Sequence, residues 1–70
     1  MQTIDAISKV GETAGEVWQL LNDQGPQTVD QLKRKLNGKT ELLNFAIGWL
    51  AREDKIELAN DKKTFRIQLR

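Results

Sequence analysis

The chain contains no cysteine and no histidine. Without cysteine there is no disulfide framework, thiolate metal site or cysteine nucleophile, and without histidine the commonest catalytic base and metal ligand is missing. Carboxylates remain, but acid–base work needs a sheltered, converging pair, and all ten Asp and Glu residues sit among polar neighbours or on expected helix surfaces. No glycine-rich phosphate loop, metal-ligand spacing or nucleophile elbow is present. An enzyme is therefore not expected, and neither is a cofactor or small-molecule substrate. No apolar run approaches the roughly 18 residues of a transmembrane helix. The start, Met1-Gln-Thr-Ile-Asp5, lacks the basic region and apolar stretch of a signal peptide, which makes the cytoplasm the expected compartment.

What is present describes a small folded domain over residues 1–70, with an apolar fraction of 39% and a charged fraction of 30%. A chain of this length buries only about 60% of its unfolded surface, so every large side chain matters to stability. The net charge of +1 conceals an asymmetry. Residues 1–31 hold Asp5, Glu12, Glu16, Asp23 and Asp30 against Lys9, a net −4, whereas residues 32–70 hold ten bases against five acids, a net +5. An acidic end and a basic end are expected.

Steps of about 100° put Ile7, Val10, Ala14, Val17, Trp18 and Leu21 on one stripe, which predicts an amphipathic helix over about 4–24. Gly11 and Gly15 fall inside it, so either the ordered helix begins near Gly11 or their spacing lets another backbone approach closely. Gly25-Pro26 stops it, because the single proline cannot continue a helix. Thr28-Val-Asp-Gln31 matches a capping box and starts a second helix. That helix carries Val29, Leu32 and Leu36 inward and Lys33-Arg34-Lys35 outward, and ends at Asn37-Gly38, where glycine supplies a left-handed cap. Thr40 is the expected N-cap of a third helix running to Glu53 or Asp54, with Leu43, Ala46, Ile47 and Leu50 facing the core. Beyond it the period changes to 2. Ile56 and Leu58, then Phe65, Ile67 and Leu69, read as two strands joined by Asn60-Asp61-Lys62-Lys63, a hairpin with one buried face.

Three helices followed by a hairpin give an α+β chain. The segments "TVDQLKRKL", "TELLNFAIGWLAREDKIEL" and "TFRIQLR" resemble the second helix, third helix with first wing strand, and returning strand of a winged helix-turn-helix domain. That resemblance implies a short third strand at Gln27-Thr28 beside the hairpin, in the order α-β-α-α-β-β. "AIGWLARED" and "AGEVWQLL" also resemble a group of small bacterial winged-helix proteins of unassigned function. The broad resemblance implies a duplex DNA-binding module of a transcriptional regulator, its third helix in the major groove and its wing on the backbone. Carried onto this chain, Lys39, Thr40 and Asn44 stand near the groove, with Asn44 suited to adenine. Lys33, Arg34, Lys35, Lys39, Lys62 and Lys63 supply a modest, salt-sensitive phosphate-binding set, and Arg66 joins Lys62 and Lys63 on the backbone.

One feature departs from that pattern. Leu42, Phe45 and Trp49 form a second apolar stripe on the third helix, centred roughly 120° from the core stripe. A DNA-reading helix presents Arg, Lys, Gln, Asn or Ser outward, and this one offers Glu41, Asn44, bare Gly48 and no outward base before Arg52. Two explanations stay open. Either the stripe is covered inside the monomer, or with Trp18 it forms a surface for a second copy or another protein.

Overall fold

A computed structural model describes residues 3–37 and 39–70, and the elements follow the expected order: α1 Thr3–Gln24, β1 Gln27–Thr28, α2 Val29–Lys35, α3 Thr40–Arg52, β2 Ile56–Asp61 and β3 Thr64–Leu69. This is the α+β, winged-helix arrangement expected, three helices followed by a hairpin.

The first helix forms from Thr3, well before Gly11, so the two internal glycines do not delay it. They admit no second backbone either, because a Cβ built on Gly11 or Gly15 meets nothing within 4 Å. The inward residues Ala14, Val17 and Leu21 are buried, and the Thr13 hydroxyl, also buried, donates to the Lys9 carbonyl at 2.8 Å. The expected stripe is buried only in its middle and end. Ile7, near the start of the helix, remains 54% exposed because α3 spans 13 residues and cannot cover a helix of 22, and Trp18, at one edge of the stripe beside buried Val17, is 38% exposed. Gly25, at φ +80, ends the helix by donating its N–H to the Leu21 carbonyl.

The capping box at the start of α2 is complete. The Gln31 amide donates to Thr28 Oγ1 at 3.1 Å, and the Thr28 amide donates to Gln31 Oε1 at 2.8 Å. The same Thr28 pairs with Arg66 across β1 and β3, so one residue ends a strand and begins a helix. Leu36 closes α2, and the glycine expected to cap it, at position 38, lies outside the described residues. Thr40 is not the cap of α3. Lys39 occupies that position without a side-chain hydrogen bond, its carbonyl accepting from the Leu43 amide, which makes Thr40 the first helical residue.

The end of α3 is a Schellman motif made without glycine. The Asp54 amide reaches the Ala51 carbonyl, the Lys55 amide reaches that of Leu50, and Asp54 takes φ 65 between them. This reversal sends the chain straight into β2. The sheet order is β1-β3-β2, all antiparallel, with Ile56 opposite Leu69, Leu58 opposite Ile67 and Asn60 opposite Phe65. Asn60 and Asp61 belong to β2, so the expected four-residue turn shortens to Lys62-Lys63, with Lys62 at φ 59.

Leu32, Leu43, Ile67 and Val17 are fully buried and tie α1, α2, α3 and the sheet into one core. The expected buried face of the hairpin holds only at its base. Ile56 and Ile67 pack inward, whereas Leu58, opposite Ile67 but on the edge strand β2, and Phe65, next to the wing tip, are about half exposed.

Candidate functional site

The core stripe of α3, Leu43, Ala46, Ile47 and Leu50, is buried against α1 and the sheet. At about 100° per residue, the opposite side of the helix carries Glu41, Phe45, Gly48 and Arg52 in a single line. All four are exposed, Phe45 by 63%. A Cβ on Gly48 would meet nothing within 4 Å, so the centre of this line is bare.

Beside the line, toward the first half of α1, lie Leu42 and Trp49. Leu42 is half-buried and Trp49 is 38% exposed. Together with Phe45 and with Ala6, Ile7 and Val10 of α1 they line a notch of about 320 Å³ whose walls are almost wholly apolar. On its other edge Trp49 also borders a larger groove of about 710 Å³. There Gly11 and Gly15 of α1 form a floor without side chains, and Trp18 stands across from Trp49. Trp49 is thus the partition between two grooves.

The stripe expected on α3 is therefore neither covered by the wing nor closed over by α1. Three contributors, Ile7, Gly11 and Gly15, were not visible as site residues in the sequence. Ile7 reads as core because it continues the α1 stripe, and the two glycines read as helix defects. Only the packing of α3 across α1 turns them into walls and floor.

The basic residues are arranged differently from a continuous DNA-facing surface. Lys39 bonds Glu16 of α1 at 3.2 Å, and Arg66 bonds Asp61 at 3.0 Å, both as exposed ion pairs. Lys35 donates to Gln27 Oε1 at 2.7 Å and to Gln24 Oε1. Gln27 is only 7% exposed, so this lysine satisfies a buried amide oxygen. Lys33 and Arg34 are exposed on α2. Arg34, Lys62 and Lys63 line one shallow depression between α2 and the wing tip, shared with Asp30 and Asp61. Thr40 and Asn44 are exposed on α3, but Lys39 and Thr40 border a separate depression with Glu41.

The expected set thus divides. One group collects Arg34, Lys62 and Lys63 at the wing, another leaves Lys39 and Thr40 at the start of α3, and Lys35, Lys39 and Arg66 each spend their charge on a partner within the chain. Among the described residues no group of three metal-ligating side chains converges, no buried polar side-chain atom lacks a partner, and no helix is long and apolar enough to cross a membrane.

Comparison with known proteins gives the same architecture. The family described as "Winged helix-turn-helix domain (DUF2582)" matches residues 4–69. An uncharacterized protein of Methanocaldococcus jannaschii is 38% identical over 68 residues, covering 94% of this chain and 97% of the relative. No solved structure matches the chain.

Proposed function

This chain belongs to the winged helix-turn-helix domain family (DUF2582), and we propose that within this fold the third helix docks another protein instead of reading a DNA groove. The observation that carries the proposal is the exposure of Phe45 and Trp49 together on the helix that would enter the groove. Base edges are read by hydrogen bonds from Arg, Lys, Asn or Gln. An outward phenylalanine next to a carboxylate offers none, and the carboxylate of Glu41 repels phosphate. Clustered exposed aromatics are instead the usual anchors of protein interfaces, because they bury large areas at small entropic cost.

Photo-crosslinking in living cells tests this. With the chain produced at its natural level and a benzoylphenylalanine in place of Phe45, ultraviolet light should yield an adduct with protein. The same probe at exposed Asn22, on the far part of α1, should yield none. Adducts only with nucleic acid, or none at all, would overturn the proposal.

A second reading is favoured by one observation, the grouping of Arg34, Lys62 and Lys63 in a single depression. In this reading duplex DNA is held by its backbone along α2 and the wing, without base readout by α3. Three bases opposed by Asp30 and Asp61 support only weak binding, with log K falling by about 0.9 per phosphate contact for each unit of log salt. Titration with duplex at low salt supports this reading if Lys62→Ala weakens binding and Asn44→Ala does not.

A further inference from the structure

We infer that the free edge of β2 is a docking surface of its own, which takes up, as an added antiparallel strand, an extended segment of another protein in which apolar and basic residues alternate. This concerns the wing and does not depend on what α3 docks. The sheet order β1-β3-β2 leaves two edges. One is closed, because β1 is two residues long and runs directly into α2. The other is the whole of β2, six residues paired to β3 without interruption and flanked by no further strand among the described residues.

The register decides which main-chain groups face outward. In an antiparallel ladder, opposite residues alternate between pairs that exchange hydrogen bonds and pairs that do not. Asp61 and Thr64 close the two-residue turn, and at the other end the Arg70 amide donates to the Lys55 carbonyl at 3.1 Å. Both mark bonded pairs. Glu57 and Ala59 therefore bond β3 as well, and the N–H and C=O groups of Ile56, Leu58 and Asn60 point away from the sheet. Native edges are usually blunted by brevity, proline, lysine or a bulge. Between Ile56 and Asp61 there is no proline or lysine, and the register skips no residue.

The side chains along this edge specify the occupant. Leu58, at its middle, is 49% exposed and has no strand on its other side. A depression of about 470 Å³ opens beside it, lined by Ala51, Ile56, Leu58 and Ala59 among others. An added strand lies about 4.8 Å away, so an apolar residue on it covers Leu58. The neighbouring Glu57 points to the opposite face, where its carboxylate accepts from the neutral Gln68 amide at 3.0 Å. Glu53, Asp54 and Asp61 each pair with a cation of the chain, whereas Glu57 has none among the described residues. A strand that sets an apolar residue against Leu58 presents its next residue to the face of Glu57, where Lys or Arg supplies the missing charge. The β2 of a second copy carries Glu57 and Asp61 and no base, so it leaves Glu57 without a cation. Main-chain bonds to an open edge, with alternate side chains read on either face, are how sheets take up peptides.

Calorimetric titration and amide hydrogen exchange of the full chain with the synthetic peptide TKVKVKT test the inference. The peptide should bind with a dissociation constant below about 1 mM and slow exchange at Ile56, Leu58 and Asn60. Methylating the backbone nitrogens of its two valines, which face β2 in the antiparallel arrangement, should abolish binding, whereas methylating that of its central lysine should not. The acidic peptide TEVEVET should not bind. Glu57→Lys should weaken binding of TKVKVKT by about fivefold. Leu58→Pro removes one outward N–H without touching the ladder to β3 and should abolish binding, with circular dichroism to establish that it folds. A peptide that fails to bind the wild type, that leaves exchange at the three amides unchanged, or that tolerates methylated valines would overturn the inference. So would protection of those amides that rises with protein concentration alone, since a second copy would then occupy the edge.

Discussion

Phe45 and Gly48 stand next to each other on the outer line of α3, one ring 63% exposed beside a position with no side chain and open space above it. Their juxtaposition makes two predictions about the isolated chain at high dilution. Phe45→Glu should leave stability within about 0.5 kcal/mol of the wild type, as for other surface changes. Gly48→Ala should raise it by roughly 0.5–1 kcal/mol, because alanine is the better helix former and meets no neighbour. Urea denaturation checks both, and unfolding of the Phe45→Glu variant would mean that the ring belongs to the core.

The junction of β1 and α2 rests on the reciprocal hydrogen bonds between Thr28 and Gln31. Thr28→Ala removes the side-chain acceptor for the Gln31 amide and should cost about 1 kcal/mol. Thermal unfolding of Thr28→Ala, Gln31→Ala and the double variant would reveal the coupling. Additive losses would contradict a reciprocal cap.

Asp54 holds φ 65 at the turn from α3 into β2, a conformation that suits glycine, and its carboxylate bonds Arg70 at 3.0 Å on the surface. Asp54→Gly and Asp54→Ala both lose that exposed ion pair. They differ in backbone strain, so the glycine variant should be the more stable by about 1 kcal/mol. Equal stabilities would mean that the reversal is not strained.

Lys35 should prove structural. Its ammonium is the donor to the side-chain oxygen of nearly buried Gln27. Lys35→Met keeps the length and removes the donor, and should cost about 1–3 kcal/mol, the penalty for an unsatisfied buried acceptor. A neutral effect in denaturant titration would return Lys35 to the solvated surface.

How far the sequence could be read depended on the range of each interaction. The capping box is legible because Thr28 and Gln31 are three residues apart, and the hairpin because Ile56, Leu58, Phe65, Ile67 and Leu69 alternate. The cap of α3 misled, since Thr40 is the residue type that favours capping but Lys39 ends the connection. Ile7, Trp18, Leu58 and Phe65 all read as core by period. They are exposed because covering them requires a neighbouring element at a particular place, and periodicity carries no information about where an element ends. The candidate basic site was legible as a list of residues but not as a surface. Lys39 finds Glu16 from 23 positions away, and no local pattern predicts that pairing.

The exposure of Phe45 and Trp49 was the question the sequence posed and could not answer. Their exposure is what moves the account from DNA reading by α3 toward protein docking.

The most direct test follows the amide resonances of Glu41, Phe45, Gly48 and Arg52 in a labelled sample titrated with duplex DNA at low salt. The account predicts that these four signals stay unchanged with duplex, while any response is confined to Arg34, Lys62 and Lys63. Signals on the outer line of α3 that shift with duplex would contradict it.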